Sequence, residues 1–167
     1  MKHNRIYLVG FMGAGKSTVG RRLARALGCR FIDLDKEIEH GERRSIAEIF
    51  AEGGEPRFRE IERSYLKDVS KAPKAVIALG GGAFADAENR AVAENSGLTV
   101  WLKVSFAKAC TRVRMDGTRP MFSNRQKAEQ LLQKREPFYA MAKLHIATDD
   151  ENVQSIADEI AGVVRGL

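Results

Sequence analysis

The chain has 167 residues and a formal net charge of +6 at pH 7, with 44% hydrophobic and 30% charged residues. These values are typical of one soluble globular domain, and no apolar run approaches the roughly 20 residues that span a bilayer. Nucleic-acid binding is also disfavoured, because the sequence has no block of five like charges and no basic stretch interleaved with aromatic residues. Binding of two anionic small molecules explains the excess of arginine and lysine better.

Strand-like and helix-like patterns alternate along the chain, without a linker, repeat or low-complexity tract. Short apolar runs predict five strands, at residues 6–9, 30–33, 75–79, 98–102 and 144–147. Helical spacing and capping residues predict helices at 16–27, after a capping box at 45–48, and at 56–69, 86–94, 105–115, 126–139 and 152–165. The alternation predicts an α/β domain with three layers and a doubly wound parallel sheet. Ligands of such folds bind beyond the carboxyl ends of the strands.

The most informative motif is Gly10-Phe11-Met12-Gly13-Ala14-Gly15-Lys16-Ser17, which follows the first predicted strand and opens the first predicted helix. It satisfies the pattern G-x-x-x-x-G-K-[ST], in which backbone N–H groups and the helix dipole bind phosphates. In this pattern Lys16 reaches the β- and γ-phosphates, and the Ser17 hydroxyl coordinates Mg²⁺. The motif therefore predicts that the chain binds a nucleoside triphosphate.

Two carboxylates, Asp33 and Asp35, come at the end of the second predicted strand. We expect residues 33–35 to be extended, so that both side chains point into the crevice that holds the phosphates. One carboxylate would support Mg²⁺, directly or through water, and the other would orient the hydroxyl that accepts the phosphoryl group. The alternative is that they are helix caps or solvated loop residues.

A second anion site is indicated by arginines and glycines further along the chain. Arg59 and Glu62 lie three residues apart on a predicted helix, where a carboxylate can hold a guanidinium for bidentate anion binding. Taken alone, this pair would be a surface ion pair. The glycine triplet at 80–82 follows the third strand and indicates that a ligand or backbone passes very close, although a tight turn is the alternative. Arg135, near a helix end, offers a second guanidinium.

An arginine-rich segment extends over about residues 112–125 and has an irregular middle. Loops of this kind close over transferable phosphates, exclude water and supply positive charge to the transition state. We therefore expect a small lid there, with Arg119 as the residue that reaches the phosphates.

Together these motifs resemble the shikimate kinase family, a group of P-loop proteins similar to nucleoside-monophosphate kinases. The resemblance covers nearly the whole chain and rests on residues 10–18, Asp33-x-Asp35, Phe58-Arg59-x-x-Glu62, Gly80–Gly82, Arg119-Pro120 and Arg135-x-x-x-Tyr139. It implies a three-layer α/β/α P-loop NTPase fold with a five-stranded parallel sheet in the order 2-3-1-4-5. It also implies Mg²⁺-dependent transfer of the ATP γ-phosphoryl group to the 3-hydroxyl of shikimate, on the route to chorismate and the aromatic amino acids.

The resemblance further implies a role for each matching residue. The ATP-binding residues would be Gly13, Ala14, Gly15, Lys16, Ser17, Thr18, Arg112 and Arg119, with Arg112 stacking on adenine. Mg²⁺ would be held by Ser17 and Asp33. The shikimate-binding residues would be Asp35, Arg59, Glu62, Gly80, Gly81, Gly82 and Arg135, of which Arg59 and Arg135 bind the carboxylate. The catalytic residues would be Lys16, Asp35 and Arg119.

We expect a single kinase domain over residues 1–167, with a substrate-binding segment at about 33–62 and the lid at about 112–125. We expect no signal peptide, because a strand pattern follows residues 1–4 directly. Cys29 and Cys110 have no CxxC-type spacing, which favours reduced thiols. We therefore expect a cytoplasmic monomer that binds ATP and shikimate and has no nucleic-acid or membrane partner. The alternatives are another small-molecule kinase of this fold, such as a gluconate kinase, a non-catalytic nucleotide-binding module, and an RNA-associated NTPase.

Overall fold

Five parallel strands form one sheet in the computed structural model, which describes residues 4–114 and 124–166. The strands are β1 (Arg5–Val9), β2 (Arg30–Asp33), β3 (Ala75–Ala78), β4 (Leu98–Lys103) and β5 (Leu144–Ala147). Their order across the sheet is β2-β3-β1-β4-β5. The predicted strands and the predicted order 2-3-1-4-5 are therefore confirmed.

Seven α-helices accompany the sheet in the described residues. They are α1 (Lys16–Leu27), α2 (Leu34–Glu42), α3 (Ile46–Val69), α4 (Ala87–Ser96), α5 (Phe106–Arg114), α6 (Arg125–Tyr139) and α7 (Val153–Gly166). The capping box at the start of α3 is confirmed, because Ser45 accepts from the Glu48 N–H and Glu48 accepts from the Ser45 N–H. The backbone at Gly54 is not helical, with φ of 69° and ψ of −174°, so α3 consists of two helical segments that meet at a kink. The two helices predicted there, after the capping box and from Pro56 to Val69, are therefore confirmed as the two segments of α3.

Helix α2 was not predicted from the sequence, and its presence corrects the expected conformation of residues 33–35. Asp33 ends β2 and is the N-cap of α2, so the chain turns from strand to helix within one residue. Asp35 then lies in the first helical turn. The two aspartates therefore do not share one face of an extended segment, which is the arrangement that the sequence predicted.

The core lies on both faces of the sheet. Every residue of β3 is buried, as are the last four residues of β1 and the first five of β4. Since successive residues of a strand point to opposite faces, helices must cover the sheet on both sides. This is the predicted three-layer α/β/α arrangement.

The parallel strands bring three functional segments to one edge of the sheet. The phosphate loop follows β1, Asp33 ends β2, and the glycine triplet follows β3. Because β3 lies between β2 and β1, these carboxyl ends are neighbours.

Cys29 and Cys110 are both free thiols. Within the described ranges, no helix combines the length and apolar character needed to cross a membrane.

Gly97, which precedes β4, tests the close packing of this sheet. A Cβ atom there would overlap the Arg5 carbonyl oxygen and lie 2.8 Å from the Tyr7 ring, and the β1 backbone cannot move aside cheaply. We expect Gly97→Ala to lower the free energy of unfolding by about 1–3 kcal/mol, measured by urea denaturation. Gly162→Ala is the control, because nothing lies within 4 Å of that position in α7 and alanine favours a helix by up to about 1 kcal/mol. Equal or greater stability of Gly97→Ala would contradict this packing.

Candidate active site

The phosphate loop has the backbone conformation that the glycines of the motif allow. Gly13 and Gly15 have φ angles of 79° and 90°, which residues with side chains rarely adopt, and Gly15 is the N-cap of α1. The Lys16 ammonium donates to the carbonyl oxygens of Gly10 and Phe11, at 2.6 and 3.0 Å. It is therefore held above the loop, at the N-terminus of α1, where anions are favoured.

A cavity of about 400 Å³ lies beside this loop. The predicted ATP-binding residues that line it are Gly13, Ala14, Gly15, Lys16, Ser17, Thr18 and Arg112. Arg112 donates to the Gly13 carbonyl at 3.0 Å and to the Thr148 carbonyl at 2.6 Å. It thereby ties α5 to the phosphate loop and to the segment after β5. Thr148, Glu151 and Val153 also line the cavity, although none of them was predicted as a binding residue.

Asp33 joins the phosphate loop to the start of α2. Its Oδ2 atom accepts a hydrogen bond from the Ser17 hydroxyl at 2.8 Å, and its Oδ1 atom accepts from the Lys36 N–H at 3.4 Å. Two hard oxygen donors, the hydroxyl of Ser17 and the carboxylate of Asp33, are thus in contact at the phosphate loop. Asp33 is therefore a helix cap and a partner of the predicted metal-binding serine at the same time.

The Asp35 carboxylate lies against the glycine triplet. A Cβ atom added at Gly80 would be 2.7 Å from Asp35 Oδ1, so only glycine leaves room for the carboxylate at that distance. The contact joins the first turn of α2 to the end of β3. Asp35 reaches the predicted crevice, although by a different backbone conformation from the one expected.

Arg59 and Glu62 form the predicted ion pair on α3. The Arg59 Nη1 atom donates to Glu62 Oε1 at 2.7 Å, and the buried Asn89 side chain donates to the same oxygen at 3.1 Å. Glu62 is only 1% exposed, and its Oε2 atom has no hydrogen-bond partner among the described residues. Burial raises the pKa of Glu62, and Arg59 opposes this increase. Arg59 and Glu62 therefore form a largely buried ion pair that lines a cavity, and not a surface ion pair.

Both predicted guanidinium groups contact the glycine triplet. A Cβ atom at Gly82 would overlap Arg59 Nη2 and lie 3.0 Å from Arg135 Nη2. A Cβ atom at Gly81 would lie 3.1 Å from Arg135 Nη1. The expected close approach at the triplet is thus made by two cationic side chains from α3 and α6.

These groups line a second cavity of about 450 Å³ next to the phosphate loop. The predicted residues that line it are Asp33, Asp35, Arg59, Glu62, Gly80, Gly81, Gly82 and Arg135. Two further lining residues, Met12 and Phe58, belong to motifs quoted from the sequence but were given no role in the site. Sequence reasoning missed Lys36, Glu39, Ile46 and Phe50. Phe58 packs against Phe50, with ring centroids 4.7 Å apart, and the Arg59 guanidinium lies 5.2 Å from the Phe58 centroid. An aromatic residue beside Arg59 was the one available signal, because cation–π contact helps to fix an arginine.

Arg119, the predicted lid arginine, lies outside the described residues, as does most of the predicted lid. The remaining predicted site residues divide between the two cavities. One cavity has the features of a triphosphate site, and its neighbour presents a carboxylate and two guanidinium groups. This combination defines a P-loop phosphotransferase that acts on a small anionic acceptor.

Comparison with known proteins identifies the family. The family model for shikimate kinase matches residues 12–165. The shikimate kinase of Persephonella marina is 40% identical over 161 residues, which are 96% of this chain and 98% of that protein. The shikimate kinase of Geobacter metallireducens is 41% identical over 164 residues, 96% of this chain and 92% of that protein. The chain belongs to the shikimate kinase family.

A solved structure agrees with this assignment. The shikimate kinase from Acinetobacter baumannii in complex with shikimate has a TM-score of 0.92 and 36% sequence identity to this chain. The match covers 98% of this chain and 94% of that one. The resemblance inferred from the sequence motifs and the kinase assignment are therefore confirmed.

Gly13 offers a test of the phosphate loop. Its φ angle is positive, and a Cβ atom would lie 3.0 Å from the Ala109 carbonyl oxygen and 3.2 Å from Val113 Cγ2. Strain of about 1–3 kcal/mol predicts that Gly13→Ala weakens nucleoside-triphosphate binding about tenfold or more, measured by calorimetry. Gly28→Ala is the control, since Gly28 also has a positive φ but has nothing within 4 Å and lies at the other end of α1. Equal affinities of the two variants would contradict the role of the Gly13 backbone.

Proposed function

We propose that this chain transfers the γ-phosphoryl group of ATP to the 3-hydroxyl group of shikimate. One observation carries the proposal: two guanidinium groups and one carboxylate meet at the glycine triplet, in a cavity that adjoins the phosphate loop. Shikimate is a carboxylic acid with hydroxyl groups, so it offers an anion for the guanidinium groups and a hydroxyl for the carboxylate. The cavity therefore offers cationic partners for the carboxylate of shikimate and a carboxylate partner for its hydroxyl group.

Arg59 and Arg135 bind the shikimate carboxylate in this proposal. Glu62 holds the Nη1 atom of Arg59, and Nη2 makes a longer bond of 3.5 Å to Glu55, so the guanidinium is fixed at the wall of the cavity. The Oε2 atom of Glu62, which lacks a protein partner among the described residues, accepts a hydrogen bond from a ring hydroxyl. The residues Gly80, Gly81 and Gly82 contact the substrate through their backbone. The proposed substrate-binding segment at about 33–62 contributes Asp35, Arg59 and Glu62 to this site, and the glycine triplet and Arg135 come from later in the chain.

Asp35 orients the 3-hydroxyl group and takes its proton. As the hydroxyl oxygen bonds to the γ-phosphorus, the bond from that phosphorus to the ADP oxygen breaks, and the hydroxyl proton passes to the Asp35 carboxylate. The transition state of phosphoryl transfer is loose, so positioning and charge stabilisation matter more than a strong base. Lys16 and Arg119 supply positive charge, with Arg119 acting from the lid at about residues 112–125.

The residues at the phosphate loop fit Mg²⁺. The Ser17 hydroxyl and the Asp33 carboxylate are oxygen donors in mutual contact, and Mg²⁺ in nucleotide sites uses one or two such groups together with phosphates and water. Within residues 4–114 and 124–166, no cluster of three or more His, Cys, Asp or Glu residues could hold a metal without a substrate. We infer that Ser17 coordinates the ion and that Asp33 supports it. When bound, Mg²⁺ neutralises charge on the β- and γ-phosphates.

We also infer a cytoplasmic monomer with no nucleic-acid partner. The net charge of +6 is accounted for in this proposal by arginine and lysine residues that bind two small anions, ATP and shikimate. Arg112 is proposed to contact adenine, from the position that it already holds beside the phosphate loop.

The proposed function is tested by ADP release in a coupled assay, with shikimate and gluconate as acceptors side by side. We expect shikimate-dependent ADP release and none with gluconate. Turnover with gluconate alone would overturn the proposal, and stimulation by RNA without an effect of shikimate would favour an RNA-associated NTPase. ATP binding without turnover of either acceptor would favour a non-catalytic module.

Asp35→Asn tests the role of the carboxylate at the acceptor hydroxyl. Loss of the proton acceptor is expected to lower kcat about 100-fold or more, while the Kd for ATP stays close to its original value. Glu37→Gln is the control, because Glu37 is an exposed carboxylate on the same helix and does not line the cavity. An unchanged kcat of Asp35→Asn would remove Asp35 from the chemical step.

Glu62→Gln tests the ion pair through its pH dependence. Burial raises the pKa of Glu62, so acidification protonates it before an ordinary glutamate and weakens its hold on Arg59. In the original protein, the KM for shikimate is expected to rise as the pH falls from neutrality toward about 5. In Glu62→Gln the KM should be high at neutral pH and should not change over this range. Glu60→Gln, on the exposed face of α3, is the control, and identical pH profiles in all three proteins would contradict the role of Glu62.

A further inference from the structure

Tyr139 is a buried residue of the Arg135-x-x-x-Tyr139 motif. The proposed reaction gives a role to Arg135 but none to Tyr139. It ends α6, and its side chain is fully buried. It follows Arg135 by four residues, so both side chains lie on the same face of the helix. Its ring packs against that of Trp101, with centroids 6.0 Å apart. Packing thus fixes the ring, and with it the position of the phenolic oxygen.

The Tyr139 hydroxyl bonds directly to the glycine triplet. It donates to the Gly81 carbonyl oxygen at 2.5 Å, across a separation of 58 residues in the chain. A peptide unit is planar and trans, so its C=O and N–H groups point in opposite directions. The hydrogen bond that holds the Gly81 carbonyl therefore also sets the direction of the Gly82 N–H. Both groups belong to the glycine triplet, which lines the second cavity, called here the acceptor cavity because shikimate is proposed to bind in it.

The same hydroxyl lies beside Arg135. A Cβ atom at Gly81 would be 3.1 Å from Arg135 Nη1 and 3.9 Å from the Tyr139 oxygen, so the three groups are close together. Burial raises the pKa of Tyr139 to about 12, although Arg135 and Arg59 oppose this increase. The hydroxyl keeps its proton for Gly81 at neutral pH, and its lone pairs are left to accept from the guanidinium.

We propose that Tyr139 is a positioning residue for the phosphoryl acceptor. One hydroxyl group orients both the Gly81–Gly82 peptide and the Arg135 guanidinium, which are two of the groups proposed to bind shikimate. This inference rests on the proposed function, because the groups that Tyr139 orients are those of the shikimate site. It assigns no direct contact with the substrate to Tyr139 itself.

Tyr7 provides a matched control for the loss of a buried hydroxyl. It is also fully buried, and its hydroxyl bonds to the Ser70 and Ser96 hydroxyls, at 2.9 and 2.6 Å. Ser70 is the C-cap of α3 and Ser96 is the last residue of α4, so they lie ahead of strands β3 and β4, at the edge of the sheet opposite the active site. Tyr7→Phe therefore removes the same chemical group from a buried site without touching the glycine triplet.

The experiment compares Tyr139→Phe with Tyr7→Phe and the original protein. The original protein is assayed first, so that a failure of shikimate turnover overturns the proposed function before the variants are considered. We expect Tyr139→Phe to raise the KM for shikimate about tenfold, and both variants to leave the KM for ATP within about twofold. Both are expected to lower Tm, but Tyr7→Phe should leave the KM for shikimate unchanged. A KM for shikimate that is unchanged in Tyr139→Phe, or raised equally in both variants, would overturn the positioning role.

A second variant keeps the test decisive if Tyr139→Phe does not fold. Site-specific replacement of Tyr139 by 3,5-difluorotyrosine retains the ring and the hydroxyl but makes the hydroxyl more acidic. The charged groups that face this hydroxyl are Arg135 and Arg59. We expect the KM for shikimate of the fluorinated protein to rise between about pH 8 and pH 10, as the donor is lost, while that of the original protein does not. Parallel pH profiles would overturn the proposal.

Discussion

The acceptor cavity depends on one buried ion pair, between Arg59 and Glu62. Glu62 is 1% exposed, so its carboxylate loses hydration, and only charge pairing with hydrogen bonds offsets that loss. Arg59 and Asn89 supply those bonds to one oxygen, at 2.7 and 3.1 Å. A guanidinium is planar and has five fixed N–H donors. Anchoring one edge of Arg59 therefore directs the other edge toward the glycine triplet and Arg135.

The pair also accounts for the charge of the ligand. Arg59 and Arg135 both approach Gly82, where their like charges repel each other in a partly buried site. Two carboxylates, Glu62 and Glu55, pair with Arg59, at 2.7 and 3.5 Å. In the proposed function, an acidic ligand between the two guanidinium groups reduces their repulsion. Asp35 and the phosphate loop would then set where the rest of that ligand lies, because the carboxyl ends of β2, β3 and β1 are adjacent.

Local patterns in the sequence were sufficient for the strands, most helices and the phosphate loop, because each has its own periodicity or glycine spacing. The strand order came from the family resemblance. Helix α2 was missed because β2 has only four residues and the helix begins directly after its last residue, so Asp33-Leu34-Asp35 matched an extended segment equally well. The bonds from Asn89 to Glu62 and from Tyr139 to Gly81 join residues 27 and 58 positions apart, which no local pattern reveals.

The central claim is that Arg59, held by Glu62, binds the carboxylate of the acceptor. Calorimetric titration of shikimate and its methyl ester, against the original protein and Arg59→Ala, tests this claim most directly. A charge-assisted hydrogen bond contributes about 1.5–3 kcal/mol, so the ester should bind the original protein about tenfold more weakly than the acid or worse. In Arg59→Ala the difference between acid and ester should be clearly smaller. The same loss of affinity in both proteins would contradict the account.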